Sequence, residues 1–416
     1  MFFLYQIFVL FLTIISPIII IYRIYKKKED KKRFIEKFSI PSKKRKTGKL
    51  VWFHGASVGE ILSIIPIIKN LEKNNSVEQI LITSSTLSSS KVLKKFNFKK
   101  TNHQFYPIDY FFFTNKFLKY WRPNLVVFIE SEIWPCMFKD IHNKKIPLIL
   151  LNARLTKKTF TRWSRLGKFT KSIFNKITIT YPQNLETKSY LKKIYSNKII
   201  NLGNLKFAED HIVQNDKLNS ILNFEFKKKK VWVASSTHYD EEIFCAKAHL
   251  ELKKKVKNLI TVIIPRHVHR AQKIKDEIKN LKLNVALHSS KIKKLDNVDI
   301  YIVDTFGETK KFHKIGSSVF LGGSIIKRGG QNPLEAARFG AKILHGPNTD
   351  NFKDVYKLLS SLKISKKINT HKKLAKYINF KKNKNRGNKI KNIGEKILKK
   401  TIKELDYLIN NEFKKT

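Results

Sequence analysis

The sequence predicts an α/β protein of two doubly wound domains, and three observations predict it. Short unalternating apolar runs recur along the chain, and longer stretches of helical period separate them. One polar, Lys-rich stretch around Asp210 to Lys230 divides the runs into two series. Strands of a parallel sheet read as continuous apolar runs because crossover helices cover both faces. Two βαβ series joined by a polar linker therefore describe two doubly wound, Rossmann-like domains facing each other across a cleft. A length of 416 residues agrees, since a domain usually takes about 100–200 residues.

Residues 1–22, MFFLYQIFVLFLTIISPIIIIY, form an apolar stretch without charge. About 20 such residues are enough to cross a bilayer as a helix. Gln6, Thr13, Ser16 and Pro17 are its weak points. Residues 23–48 follow as a basic juxtamembrane segment, with Arg23, Lys26, Lys27, Lys28, Lys31, Lys32 and Arg33 directly after the apolar run. Positive charge on the C-terminal flank is the stop-transfer pattern; it predicts a single-pass N-terminal anchor with the rest of the chain in the cytoplasm. A cleaved signal peptide wants its charge ahead of the apolar run and small residues behind it. A helix lying in the interface is the alternative, and either arrangement seats the domains on an anionic phospholipid surface.

The first domain, 49–208, takes its strands from LVWFH (50–54), QILIT (79–83), LVVFIE (125–130), IPLILL (146–151) and KITIT (176–180), with a helix from Ile61 to Leu71. Residues 209–230 are the expected linker. The second domain, 231–385, takes VWVAS (231–235), LITVII (259–264), DIYIV (299–303), SVFLG (318–322) and AKILH (341–345). Residues 386–416 close the chain as an amphipathic helix, with Ile390, Ile393, Ile397, Ile402, Leu405 and Leu408 at helical spacing.

Composition excludes more than it assigns. With 85 Lys and Arg against 32 Asp and Glu, the formal charge is +53, which favours an anionic partner. The basic residues are spread along the whole chain, so general over-use of Lys is the competing cause. Specific nucleic-acid binding needs basic clusters interleaved with aromatics or a recognised module, and neither is present. Cys136 and Cys245 stand far apart without ligand spacing, which argues against a disulfide framework and a zinc site and fits thiols in a reducing cytosol. The chain lacks GxGxxG, a Walker A loop and a DxD pair, so dinucleotide and P-loop chemistry are disfavoured.

Ligands of open α/β sheets bind where strands end and loops lead into helices, and four segments have that form. In VWFHGASVGE (51–60), Ser57 and Glu60 have the spacing of a capping box. The functional reading of the same residue is a carboxylate suited to deprotonate an acceptor hydroxyl. In FIESEIWPCM (128–137), Glu130 and Glu132 end a strand beside Trp134, and one of the two is open to a mere capping role. In IIPRHVHR (263–270), Arg266 suits a phosphate, whereas His267 and His269 have no evident third metal ligand. In LGGSIIKRGGQNPLEAARFGAKILHGPNTDNF (321–352), paired glycines let backbone approach a ligand. Asn332, Pro333 and Glu335 then fit N-cap, N1 and N3 of a helix, a ready anion site. Glu335 is suited to capping, to a ribose, or to both.

These segments, in this order, resemble the 3-deoxy-D-manno-octulosonate (Kdo) transferases. The matching strings are HGASVGE (54–60), ESEIWP (130–135), LNARL (151–155), GNLKF (203–207), ASSTH (234–238), PRH (265–267), FGE (306–308) and GGSIIKRGGQNPLEAARFG (322–340). They span roughly residues 50 to 355. The resemblance implies the two-domain GT-B fold and inverting, metal-independent transfer of Kdo from CMP-Kdo to a lipid A precursor at the cytoplasmic face of the inner membrane, with no cofactor beyond the donor. It implies Glu60 as general base, with Glu130 and Lys206 stabilising charge in the transition state. It implies that Pro265, Arg266, Phe306, Gly307, Glu308, Asn332, Pro333, Leu334 and Glu335 hold the CMP moiety. Gln331 stands where the family usually has His. A second GT-B reading, with a UDP-sugar donor and a lipid acceptor, differs in the nucleotide that competes.

Overall fold

The computed structural model describes residues 1–195, 197–209 and 218–414. It divides into two compact units, one of Met1–Asp210 with Ile393–Thr416, the other of His211–Asn392. Of the expected linker, residues 210–217 lie outside the described residues, and Ser220–Lys227 forms a helix.

The first unit holds a parallel sheet of seven strands: β1 (Leu50–His54), β2 (Gln79–Ser84), β3 (Thr101–Phe105), β4 (Leu125–Ile129), β5 (Leu148–Ala153), β6 (Ile179–Pro182) and β7 (Lys198–Ile199). Their order is β3-β2-β1-β4-β5-β6-β7. The order reverses between β1 and β4, where His54 pairs with Phe128. Both faces are buried, as the unalternating runs require. Trp52, Val126, Phe128 and Leu150 pack on one side with Phe117, Trp121 and Phe138. Val51, Phe53, Val127 and Ile129 pack on the other with Ile61, Ile64 and Ile68 of α2 (Val58–Leu71), and with Leu405 and Ile409 of the long helix Lys384–Lys414.

The second unit repeats the plan with β8 (Lys230–Thr237), β9 (Leu259–Pro265), β10 (Val285–Leu287), β11 (Ile300–Ile302), β12 (Ser318–Leu321), β13 (Lys342–His345) and β14 (Ser365–Lys367). The order is β10-β11-β9-β8-β12-β13-β14, all parallel. Its switch point lies between β8 and β12, where Leu321 pairs with Ser235.

Before the first sheet, α1 (Phe2–Tyr25) carries the apolar run as one helix, long and apolar enough to cross a membrane and only slightly buried. Cys136 and Cys245 are free and buried.

Candidate active site

In the first unit, the residues singled out from sequence gather at the carboxyl ends of β1 and β4, the switch point where such sheets bind ligands. Ser57 caps α2 and accepts from the Glu60 N–H, while Glu60 Oε2 accepts from the N–H groups of Ala56 at 2.7 Å and Ser57 at 3.4 Å. The capping box is therefore real, and it fixes the Glu60 carboxylate at the mouth of the sheet. Burial, then the nearby charges of Glu132 and Glu130, push this carboxyl up to about 7, against the capping hydrogen bonds that pull it down.

Glu130 ends β4 with a left-handed backbone, φ +57°, and is 5% exposed. Its Oε1 lies 2.6 Å from Lys206 Nζ. Lys206 belongs to a short 3-10 turn, Leu205–Ala208, and three devices hold that turn. Asn204 Oδ1 accepts from the Lys206 N–H, Leu205 is buried in the core, and Asn152 Oδ1 accepts from the Leu205 N–H at 3.0 Å. Asn152, itself at φ +53°, thus couples the LNARL and GNLKF strings to one ion pair. Sequence reading noted both strings but not this link, because the partners are 53 residues apart.

Glu132 takes a different partner from Glu130. Its Oε2 accepts from Trp134 Nε1 at 2.9 Å and stands 3.2 Å from His54 Nε2. Burial alone would push the Glu132 carboxyl up, but the hydrogen bonds from His54 and Trp134 outweigh it and hold it below the usual range. Complete burial pushes the His54 imidazole down, toward the neutral form. Thr83 Oγ1 lies 2.9 Å from His54 Nδ1 and accepts from Trp52 Nε1 at 2.9 Å. A neutral His54 carrying its proton on Nε2 satisfies this whole chain of groups.

In the second unit, the corresponding strand ends form a cationic cradle around a glycine turn. Pro265 closes β9, and Arg266 follows it exposed, its N–H donating to Thr237 O at 2.9 Å. Burial, then the charges of His267, Arg328, Arg266 and Arg270, push His238 down. The turn after β12 packs so closely that a Cβ on Gly322 would stand 2.4 Å from Ser236 O. Glu241, fully buried, latches this turn: its oxygens accept from the N–H groups of His238, Gly323, Ser324 and Ile325 at 2.6–3.1 Å. Sequence reading passed over Glu241; an acid in the first turn of the helix Glu241–Lys253 was the available signal.

The nucleotide-loop residues divide. Asn332 Oδ1 accepts from the Leu334 N–H at 3.0 Å, and Pro333 rather than Asn332 stands at the N-cap of the helix Leu334–Arg338. That corrects the expected positions by one residue: Asn332 closes a turn ahead of the helix, and Glu335 falls at its second position. Leu334 is fully buried. Glu335 Oε1 meets His313 Nδ1 at 2.9 Å, and His313 Nε2 meets Ser235 Oγ at 3.0 Å. Phe306 is 81% exposed. Gly307 has φ +88° and open space around it. Glu308 stands at the N-cap position of the helix Thr309–Ile315 without a side-chain capping bond, and its carboxylate pairs with Lys311 Nζ at 2.8 Å. Glu308 also lines a cavity of about 580 Å³ with His288, Tyr301 and Thr305. Tyr356 OH donates to the Gln331 carbonyl at 2.9 Å.

A family model for 3-deoxy-D-manno-octulosonic-acid transferase (kdotransferase) matches residues 32–209. A 3-deoxy-D-manno-octulosonic acid transferase of Rickettsia bellii is 33% identical over 382 residues, covering 92% of this chain and 91% of that one. The corresponding protein of Rickettsia prowazekii is 35% identical over 353 residues, covering 84% and 76%. Among solved structures, a glycosyltransferase from Rickettsia africae shares the fold, with a TM-score of 0.54 at 11% identity over 89% of this chain and 100% of that one. With a relative matched at this identity over nearly its whole length, the chain belongs to the 3-deoxy-D-manno-octulosonic acid (Kdo) transferase family.

Proposed function

We propose that this glycosyltransferase moves Kdo from CMP-Kdo to a lipid A precursor, lipid IVA, with inversion at the anomeric carbon and without a metal ion or a cofactor beyond the donor. The reaction belongs to lipopolysaccharide assembly at the cytoplasmic face of the inner membrane. The observation that carries the reading is the Glu60 carboxyl, held at about 7 beside the Glu130–Lys206 pair at the switch point of the first unit. A general base works best when it titrates near the operating pH.

In this reading Glu60 takes the proton of an acceptor sugar hydroxyl as that oxygen attacks the anomeric carbon of Kdo. The bond from that carbon to the CMP phosphate oxygen breaks, and CMP leaves with the electron pair. Lys206, fixed by Glu130, supplies positive charge for the charge that develops. In the second unit Arg266 takes the phosphate, and Glu241, which occupies the N–H groups of Gly323, Ser324 and Ile325, holds the shape of the glycine turn. Pro265, Phe306, Gly307 and Asn332 to Glu335 shape the remainder of the nucleotide site, with Glu308 and Glu335 as acceptors for ribose or base groups.

The donor assignment is tested by competition, with divalent metal chelated after the donor has been made. CMP displacing the donor while UDP does not is the expected result. Displacement by UDP alone would replace CMP-Kdo with a UDP-sugar, the second reading of the fold.

A further inference from the structure

The anchor helix is held at both ends, by its opening turns against the first unit and by Arg23 on Glu29, and this bears on how the protein meets the membrane. Phe2, Tyr5, Val9, Thr13, Ser16, Ile20 and Arg23 recur at steps of three and four, so they form one stripe of α1. Contacts with the first unit begin in its opening turn. The Phe2 ring lies 6.5 Å from Phe169 and under Lys139 Nζ at 4.5 Å. Tyr5 OH donates to Asp109 Oδ2 at 2.7 Å. The buried Asp109 also accepts from the N–H groups of Cys136 and Met137, directly after Trp134. Val9 is buried, and with Phe8 and Leu12 it walls a cavity of about 440 Å³ against Tyr106, Ile108 and Trp134. Ile20 is buried near the other end, and Arg23 in the last turn pairs with Glu29, which pairs with Lys37.

The opposite stripe is bare. Phe3, Ile7, Leu10, Ile14, Ile18, Ile21 and Tyr25, again at steps of three and four, are 40–79% exposed. Beside the docked end, Phe111 and Phe112 are 47% and 57% exposed, two and three residues after the Asp109 that holds Tyr5. Exposed lysines border both apolar features: Lys26, Lys27 and Lys28 after the helix, and Lys116 and Lys119 on the helix Phe111–Trp121.

We propose that α1 does not cross the bilayer but lies in one leaflet, and that its bare stripe together with Phe111 and Phe112 forms a membrane-docking face for an anionic lipid surface. A helix that crosses with its C-terminal flank in the cytoplasm carries its first turns about 30 Å away to the far side. Phe2 and Tyr5 would then leave Phe169, Lys139 and Asp109. An in-plane helix keeps those contacts and buries the bare stripe among acyl chains, with lysines at headgroup level. Of the polar positions within the apolar run, Tyr5 and Gln6 bond to Asp109 and Cys136 of the first unit, whereas Thr13 and Ser16 donate to carbonyls of the helix itself. The depth this gives Trp134 and its partner Glu132 matters to a lipid acceptor and so rests on the proposed function. The docking itself does not, and topology is therefore read without activity.

The test uses the full chain with two single cysteines; the native thiols are buried. A cysteine inserted after Met1 is treated with a membrane-impermeant maleimide in intact spheroplasts and after permeabilisation. Labelling only after permeabilisation is expected, whereas labelling of intact spheroplasts would establish a crossing helix and overturn the proposal. F112C, purified and carrying an environment-sensitive dye, is mixed with phosphatidylethanolamine–phosphatidylglycerol vesicles holding shallow quencher lipids. A blue shift with loss of emission is expected. Unchanged emission would overturn the proposal, as would lipid-independent cross-linking of F112C between two copies, which would make the face a protein interface.

Discussion

Replacing Glu60 by Gln separates the function of this carboxylate from its cost. In the unfolded chain the group titrates near 4.5, and in the fold it is held at about 7. The folded state therefore binds the extra proton between those values. Stability must fall as pH rises through that window, and the full penalty is present above about pH 7. At about 1.4 kcal/mol for each tenfold change, charging the group costs the fold at most about 3 kcal/mol. The amide of E60Q keeps an oxygen for the Ala56 and Ser57 N–H groups but loses the charge on those bonds, a loss of about 1 kcal/mol. The variant is thus expected to be more stable than wild type by about 1–2 kcal/mol at pH 8, and by nothing at pH 5. Thermal unfolding of the full chain in detergent at both pH values reads this as a difference of about 2–8 °C at pH 8. In the same pair, wild-type kcat/KM rises about tenfold per pH unit below 7 and then levels, while E60Q loses turnover throughout. A stability gap that is the same at pH 5 and pH 8, or a flat wild-type rate profile, would refute the reasoning.

Three further outcomes follow from the same geometry. K206M leaves the nearly buried Glu130 without its cation and should cost up to about 3–5 kcal/mol; adding E130Q should recover much of that stability but not turnover, as a double-mutant cycle would show. E241A removes the acceptor of four backbone N–H groups and should release the Gly322–Ile325 turn. The loss is about 1–3 kcal/mol in urea unfolding, with nucleotide affinity falling alongside it in calorimetry. R266Q should raise the KM for the donor about 10–100-fold, the worth of one charge-assisted hydrogen bond, with kcat little changed in steady-state kinetics.

The interior strands were legible because burial on both faces leaves an unmistakable apolar run, as in LVWFH and LITVII. Four strands were not read: β3, β7, β10 and β14, the outer strands of the two sheets. Edge strands are short and tolerate polar residues, as TNHQF and SKK do, and so they lack that signature. The site was legible where its signal is local. Ser57 and Glu60 advertise their capping box within four residues, and Glu130 ends a visible strand. What escaped depends on distant partners. Nothing near Asn152 in sequence says that it holds Leu205, and nothing near Glu241 says that it holds a turn 82 residues away. Pro333 displaced Asn332 from the N-cap because the helix starts one residue later, a shift that pattern alone does not resolve. The apolar run at the start gave its length but not the bond of Tyr5 to Asp109, whose partners are 104 residues apart.

The most direct measurement is the mass of the product formed from a tetraacylated, bisphosphorylated lipid A precursor and CMP-Kdo, with donor synthesis completed and metal chelated before the full-length enzyme is added. A gain of one or more Kdo units with wild type, absent with E60Q, is the predicted result. Wild-type transfer that survives in E60Q would remove Glu60 from the role of base. No gain with wild type, while CMP still binds, would contradict the proposed donor sugar or acceptor.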